Sequence, residues 1–225
     1  MSKGIDVSHW NGSIDFNKVK ADGYDFVIIK AGGHEGRFYK DPKFEENYLK
    51  AKEAGLFIGA YYFAGKSFRG VEAGLSDAKH FLELIKDKKF DYPVFIDIEA
   101  QENRYKEAIT DAVCSFCSYL EAAHYFVGIY ASDISGFKDK LNHERIKSYA
   151  HWVARYGAAP QICKEFGIWQ YSSKGTVSGI SGSVDLDNSY IGYEKIIKEK
   201  GLNGYEALKA DKPKDKETKK RRSNK

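Results

Sequence analysis

The sequence predicts an α/β protein, an irregular β/α barrel of five βα units followed by three antiparallel strands. Strand-like segments alternate with helical patterns as far as residue 132, which is the mark of parallel βαβ units. Beyond that point the links turn short and rich in Gly, Ser and Pro, too short for a crossover helix. The segments total eight, enough to close a barrel.

In order, the strand-like segments are GIDVS (4–8), DFVIIKA (25–31), FIGAYYFA (57–64), YPVFIDIE (92–99) and FVGIYAS (126–132). HWVARY (151–156), FGIWQYS (166–172) and SVDLDNSY (183–190) make the closing meander. Between the first five lie a short helical pattern at 16–21 and a second at 42–54. The second has Asp41 as N-cap, Pro42 in the first helical position and Gly55 as its stop. Two more run over 72–86 and 104–123, and residues 193–208 read as a small helix on the outside.

The most informative segment is YPVFIDIEA, residues 92–100. Val94, Phe95 and Ile96 read as a buried strand, and its far end carries Asp97 and Glu99 with only Ile98 between them. Residues two apart on a strand share a face, with Cα atoms about 6–7 Å apart. Burying two like charges is costly, and the relief is that one carboxyl keeps its proton. A protonated acid beside an ionised one is what glycosidic bond cleavage needs. The competing reading is a strand ending in solvated acids.

In a parallel barrel the strand C-termini meet at one mouth. That rule brings together Asp6, Asp97, Glu99 and Tyr130, with Lys30 and Glu35 flanking and Asp185 or Asp187 on the same rim. A ring of carboxylates can hold a hard cation or act on a sugar. There is no D-x-D-x-D-G loop and no pair of His at helical spacing, and Tyr and Trp crowd the strand ends, so sugar is favoured. No metal and no cofactor are expected.

Composition supports a sugar-facing surface. Aromatic residues make up 15% of the chain, with 16 Tyr and 14 Phe, and a ring face stacks on pyranose C–H groups. The net charge is +4 overall and +6 in residues 209–225, which leaves −2 for the first 208. The tail KADKPKDKETKKRRSNK cannot bury a core and reads as disordered, either a solvated chain end or a tether to a polyanion. Cys114 and Cys117 form a C-x-x-C, but inside a helical apolar stripe with no second Cys/His pair, so they read as core residues. Three cysteines, with Cys163, make no disulfide framework. MSKGIDVSHW has no signal-like apolar stretch and no run is long enough to span a membrane, so synthesis in the cytoplasm is expected.

These segments together resemble glycoside hydrolase family 25, the Chalaropsis-type lysozymes of phage endolysins and bacterial autolysins. GIDVSHWNGSIDF is similar to the family's opening D-V-S segment, and DFVIIKAG with YKDPKFEENYLKAKEAGLFIGAYYFA to its second and third units. YPVFIDIEA resembles its D-x-E strand, and GIWQYSSKGTVSGISGSVDLDNSY its closing W-Q-Y-[ST] and G-x-V-D segments. The likeness covers about residues 3–191. It implies an irregular β/α barrel over 1–192, with 193–208 as a helical extension and 209–225 as a tail or linker. It implies cleavage of the β-1,4 bond between N-acetylmuramic acid and N-acetylglucosamine in peptidoglycan.

Position by position, the resemblance makes Glu99 the proton donor and Asp97 its partner, with Asp6 and Asp185 as the other acids. Tyr61 falls in the substrate groove, and Tyr130, Trp152 and Gln170 are groove-lining. The sequence departs from the family at two places. Lys30 is followed by AGGHEG instead of x-[ST]-E-G, which displaces Glu35, and Asp187 stands where many members have Asn. Asp187 is therefore counted with the substrate-binding residues.

Two routes stay open after protonation by Glu99. The substrate's own N-acetyl oxygen attacks with Asp97 stabilising the oxazolinium, or water attacks after activation by Asp6 or Asp185. In either, repulsion from an ionised Asp97 is expected to raise Glu99. A chitinase-like hydrolase is a rival, but Tyr92 and Phe95 stand where its D-x-x-D-x-D-x-E series needs acids. A non-catalytic wall-glycan module is another, opposed by the presence of all four acids. The expected partner is the glycan strand, the expected state a monomer, and no nucleic-acid motif is present in the folded part.

Overall fold

The protein is described by a computed structural model over residues 1–207. The basic tail read at 209–225 lies outside the described residues.

Among the described residues nine strands form one sheet: β1 (Ser2–Val7), β2 (Phe26–His34), β3 (Phe38–Lys40), β4 (Phe57–Ala64), β5 (Val94–Asp97), β6 (Val127–Ser132), β7 (Ala150–Ala154), β8 (Ile168–Gly175) and β9 (Val184–Ser189). Eight of them close a barrel in the order β1, β2, β4, β5, β6, β7, β8, β9 and back to β1. The ninth, β3, hangs from the end of β2 as an outer hairpin strand. Helices α1 (Phe16–Ala21), α2 (Phe44–Glu53), α3 (Val71–Ile85) and α4 (Lys106–Ala122) follow the early strands. The short α5 (His143–Ile146) and α6 (Tyr193–Lys200) are the remaining α-helices among the described residues.

The parallel strands read as near-continuous apolar runs because both of their faces are covered. Val27 and Ile29 of β2, Ile58 and Ala60 of β4, and Ile96 of β5 face the outer layer, where Phe81 of α3 and Phe116 of α4 pack on them. Phe26, Ile28, Phe95, Trp152 and Ile168 fill the inside. The large interior rings need gaps opposite them. A Cβ on Gly4 would overlap the Phe26 ring, and one on Gly128 the Phe95 ring. Each buried aromatic contributes about 1.5–3 kcal/mol by leaving water.

The helix in the 193–208 segment has a more definite task than packing on the outside. Tyr193 and Ile197 of α6 belong to the interior cluster and cover the barrel floor beside Phe26 and Tyr92. Gly201 ends the helix in the left-handed region, and Asn203 then ties the floor together. Its amide donates to the Tyr92 carbonyl at 2.8 Å, and its oxygen accepts Phe126 N–H at 2.7 Å.

Strand direction corrects one expectation. β7 runs parallel to β6 and β8 parallel to β7, so within the barrel the antiparallel strand is β9, which pairs antiparallel with both β8 and β1. The β7–β8 return spans residues 155–167 without a helix, because a buried side chain supplies its hydrogen bonds. Asp133 accepts the backbone N–H groups of Gln161, Ile162 and Cys163 at 2.8–3.0 Å and Arg155 at 2.6 Å. Burial raises the Asp133 carboxyl, but these donors outweigh it and hold the group below its ordinary value.

Helix α2 begins at Phe44, two residues later than its turn chemistry indicated. Asp41 still organises the turn, accepting Lys43 N–H at 2.9 Å, while its other oxygen takes the backbone N–H of His9 at 3.1 Å. Cys117 is buried within α4, and all three cysteines are free thiols. Among the described residues no helix is long and apolar enough to cross a membrane.

Candidate active site

Strand β5 delivers the central pair. Its ladder ends at Asp97, which pairs with Phe63 of β4 and Tyr130 of β6. Ile98 N–H donates to the Tyr130 carbonyl at 2.9 Å, so the chain stays extended one residue further. Ile96 and Ile98 point into the outer core, and Phe95 points into the barrel interior. Asp97 and Glu99 therefore share the inner face with Phe95, and both line a cavity of about 270 Å³ at the mouth.

Six other strands contribute one or two side chains each to that cavity. Asp6 comes from β1, Tyr61 from β4, Tyr130 from β6, Trp152 from β7, Gln170 from β8 and Asp185 from β9. Asp185 sits opposite Asp6 in the β1–β9 ladder, so the antiparallel strand reaches the rim from its own N-terminal end. A neighbouring hollow of about 480 Å³ extends the cleft outward past Trp10, Lys30, Glu35 and Phe63.

Asp187, expected among the substrate-binding residues, does not line the cavity. It lies one inward-facing position below Asp185, opposite Gly4 and Gln170, and is fully buried. One oxygen accepts the Trp152 indole N–H at 2.7 Å, so Asp187 supports the cavity floor from beneath. Trp152 in turn packs against Tyr130, with ring centroids 4.4 Å apart, and edge-on to Tyr61 at 6.0 Å.

Asp6 is held by the neighbouring β8. Gln170 donates to its Oδ2 at 2.8 Å, and the Gln170 oxygen accepts the hydroxyls of Tyr130 and Tyr156 at 2.9 Å each. Tyr156 and Ser173, which also line the cavity, lie beyond the strand-end rule. Tyr156 is in the loop after β7, and Ser173 follows a β-bulge in β8. Lys140 was equally invisible in the sequence. It reaches in from the loop after a π-helical turn at Asp133–Lys138 and donates to the Glu99 carbonyl.

The carboxyls titrate upward for distinct reasons. Asp97 is 3% exposed and one of its oxygens has no hydrogen-bond partner among the described residues. Burial, and then the negative charge of Glu99, push it well above its ordinary value. Glu99 stands at the rim and is raised by burial, with Lys30 and Lys140 pulling it back. The expected repulsion thus acts on the inner acid, because Asp97 is the deeper of the two. Asp6 is pushed up by burial and then by Asp187 and Asp185, and Asp185 by burial and Glu99, to about 6. Lys30, nearly buried, lies over the Phe63 ring at 4.5 Å. The mouth thus offers carboxyls that hold protons at higher pH than free carboxylates do, next to two cations and three aromatic walls.

Comparison with known proteins places this geometry. A profile of glycosyl hydrolases family 25 matches residues 5–180, a span that contains Asp6, Asp97 and Glu99 and stops short of Asp185. The autolytic lysozyme of Clostridium acetobutylicum is 35% identical over 212 residues, covering 92% of this chain and 63% of that protein. Lysozyme M1 of Streptomyces globisporus is 30% identical over 199 residues, covering 81% of this chain and 66% of its own length. The chain thus spans a little under two thirds of these curated relatives. Among solved structures, the CTP1L endolysin superposes with a TM-score of 0.75 at 33% identity, covering 88% of this chain and 70% of that one. The lysozyme of Streptomyces coelicolor superposes with a TM-score of 0.67 at 27% identity, covering 84% and 92%.

Proposed function

The chain belongs to glycosyl hydrolases family 25, and from that premise we propose that it is a muramidase. Its substrate is then the β-1,4 bond between N-acetylmuramic acid and N-acetylglucosamine in peptidoglycan. The observation that carries this reading is the pair Asp97 and Glu99, side by side on the inner face at the cavity mouth.

In this reading Glu99 gives its proton to the leaving glycosidic oxygen. The buried, unpartnered oxygen of Asp97 supports the substrate-assisted route, because an acetamido N–H would satisfy it. With substrate bound, the acetamido N–H donated to Asp97 favours its ionised form and leaves the proton of the pair on Glu99; the acetamido oxygen then attacks the anomeric carbon, and Asp97 stabilises the positive charge of the oxazolinium. Water opens that ring from the other side and returns a proton to Glu99. Asp6, held by Gln170, and Asp185 complete the acidic wall, and Tyr61, Tyr130 and Trp152 form the sugar-facing surfaces.

The catalytic unit in this proposal is residues 1–192, floored by α6. The protein is made in the cytoplasm, reaches the wall by release during phage or autolytic lysis and acts as a monomer, with polyanion contact assigned to the basic tail. Mass spectrometry of muropeptides released from purified walls tests the activity. New reducing ends of N-acetylmuramic acid are expected. Reducing ends of N-acetylglucosamine, or cleavage of chitin oligomers in place of walls, would overturn the reading, and an absence of products would mark a binding module.

A further inference from the structure

Next to the cleft is a groove that the proposed chemistry does not use. It measures about 410 Å³ and lies between the turn at His9–Asn11 and the β2–β3 hairpin, lined by His9, Trp10, Lys30, Glu35, Arg37 and Tyr39. Trp10, Lys30 and Glu35 line the outer part of the cleft as well, so the two hollows adjoin. We propose that this groove is a second binding site, for the anionic peptide stem carried by a muramoyl residue of the strand being cut. This rests on the muramidase reading.

Both walls are built to stay in place. The His9–Asn11 turn is closed by a capping box, in which Ser8 Oγ accepts Trp10 N–H at 3.2 Å and Asn11 Oδ1 accepts Ser8 N–H at 2.9 Å. Trp10 is nonetheless 83% exposed, a large apolar face on a rigid support beside a sugar cleft. Asp41, itself buried, grips His9 by its backbone N–H and at Nδ1, 2.7 Å away, which leaves Nε2 as the ring nitrogen without a partner among the described residues. Opposite, the hairpin is pinned from behind. His34 meets Asp77 at 3.0 Å, and Phe38 packs between His34 and His80 with centroids 4.4 and 4.7 Å away.

The charge pattern selects the ligand. Glu35 has Tyr39 as a neighbour, whose hydroxyl is pushed up by burial and then by Glu35, so it stays a donor. The Arg37 backbone carbonyl accepts Glu35 N–H at 3.1 Å, while its side chain makes no hydrogen bond or ion pair among the described residues and borders the groove with its guanidinium uncommitted. An unpaired arginine, a lysine and an oriented histidine have nothing ionic to meet on N-acetylglucosamine, which is neutral. The peptide stem on the lactyl group brings free carboxylates, which a guanidinium binds in a bidentate fork.

The test compares uncross-linked glycan strands bearing stems with the same strands after an amidase has removed them. Stripped strands keep the lactyl carboxylate, so they separate stem from lactyl recognition. Wild type is expected to favour stem-bearing strands, and Arg37→Ala to lose about fivefold in kcat/KM on them through KM, as for one exposed charge-assisted contact. Its rate on stripped strands should be unchanged, and Arg37→Lys should fall between. Equal loss on both strands, or no loss on either, overturns the proposal. Cutting of neither strand by wild type would instead mark failure of the muramidase reading. The groove is then decided by NMR titration of the labelled chain with a muramoyl tripeptide. Shifts at the Trp10 indole and His9 that weaken severalfold in Arg37→Ala support the site, and their absence in wild type overturns it.

Discussion

Gln170 donates its side-chain N–H to Asp6 at 2.8 Å while its oxygen accepts two phenols, those of Tyr130 and Tyr156. One neutral amide from β8 thus fixes an acid on β1 and two hydroxyls on the opposite wall. Asp6 is far from Gln170 in sequence, and the barrel closure through β9 is what makes them neighbours.

Replacing Gln170 by Ala should release all three partners at once. With a buried hydrogen bond to a charged group worth about 1.5–3 kcal/mol, kcat/KM is expected to fall at least about tenfold. Circular dichroism should show the fold retained. Unchanged turnover on purified walls would remove Asp6 and its clamp from the active constellation.

Lys140 is the handle for pH dependence. Its positive charge favours the ionised form of Glu99 and so holds that carboxyl down against burial. Taking the charge away in Lys140→Met lets Glu99 keep its proton to higher pH. A donor must be protonated, so the alkaline limb of the kcat/KM profile should move to higher pH in the variant. A limb that stays in place or moves down would contradict the assignment of that limb to Glu99.

Beneath the cavity, Trp152 and Asp187 form a pair whose loss is a stability matter. Trp152→Phe removes the donor from a fully buried carboxyl oxygen. It should destabilise the protein by about 1–3 kcal/mol in urea unfolding. In the Asp187→Asn background the same change should cost a different amount, because the two residues are in contact. Additive effects would show that the hydrogen bond carries no coupling.

Much of this arrangement was legible in the sequence. The alternation of apolar runs with capped helical patterns located the eight barrel strands, and the bounds of β4 agree to the residue. The period-two argument placed Asp97 and Glu99 on one face, since Ile98 had to be buried behind them. What escaped was held by non-local side chains. The parallel β7–β8 return depends on Asp133 hydrogen-bonding backbone groups 28–30 residues away, which no local pattern encodes. Asp187 read as a rim acid because the ladder position of β9 relative to Trp152 is fixed only by barrel closure. The hairpin strand β3 is three residues long, too short to carry a period.

For Asp97→Asn the expected loss is in kcat, by about 10²–10³-fold, with a smaller change in KM. The negative charge matters most when the anomeric centre is positive, and a neutral amide cannot supply it. A change confined to KM would make Asp97 a ground-state binding residue.

The most direct measurement is turnover of purified walls by Glu99→Gln. Glutamine keeps the size of the side chain and cannot give a proton to the leaving oxygen. The expected result is a loss of about 10²–10⁴-fold in kcat with an unchanged thermal midpoint. Turnover like that of the wild type would contradict proton donation from Glu99.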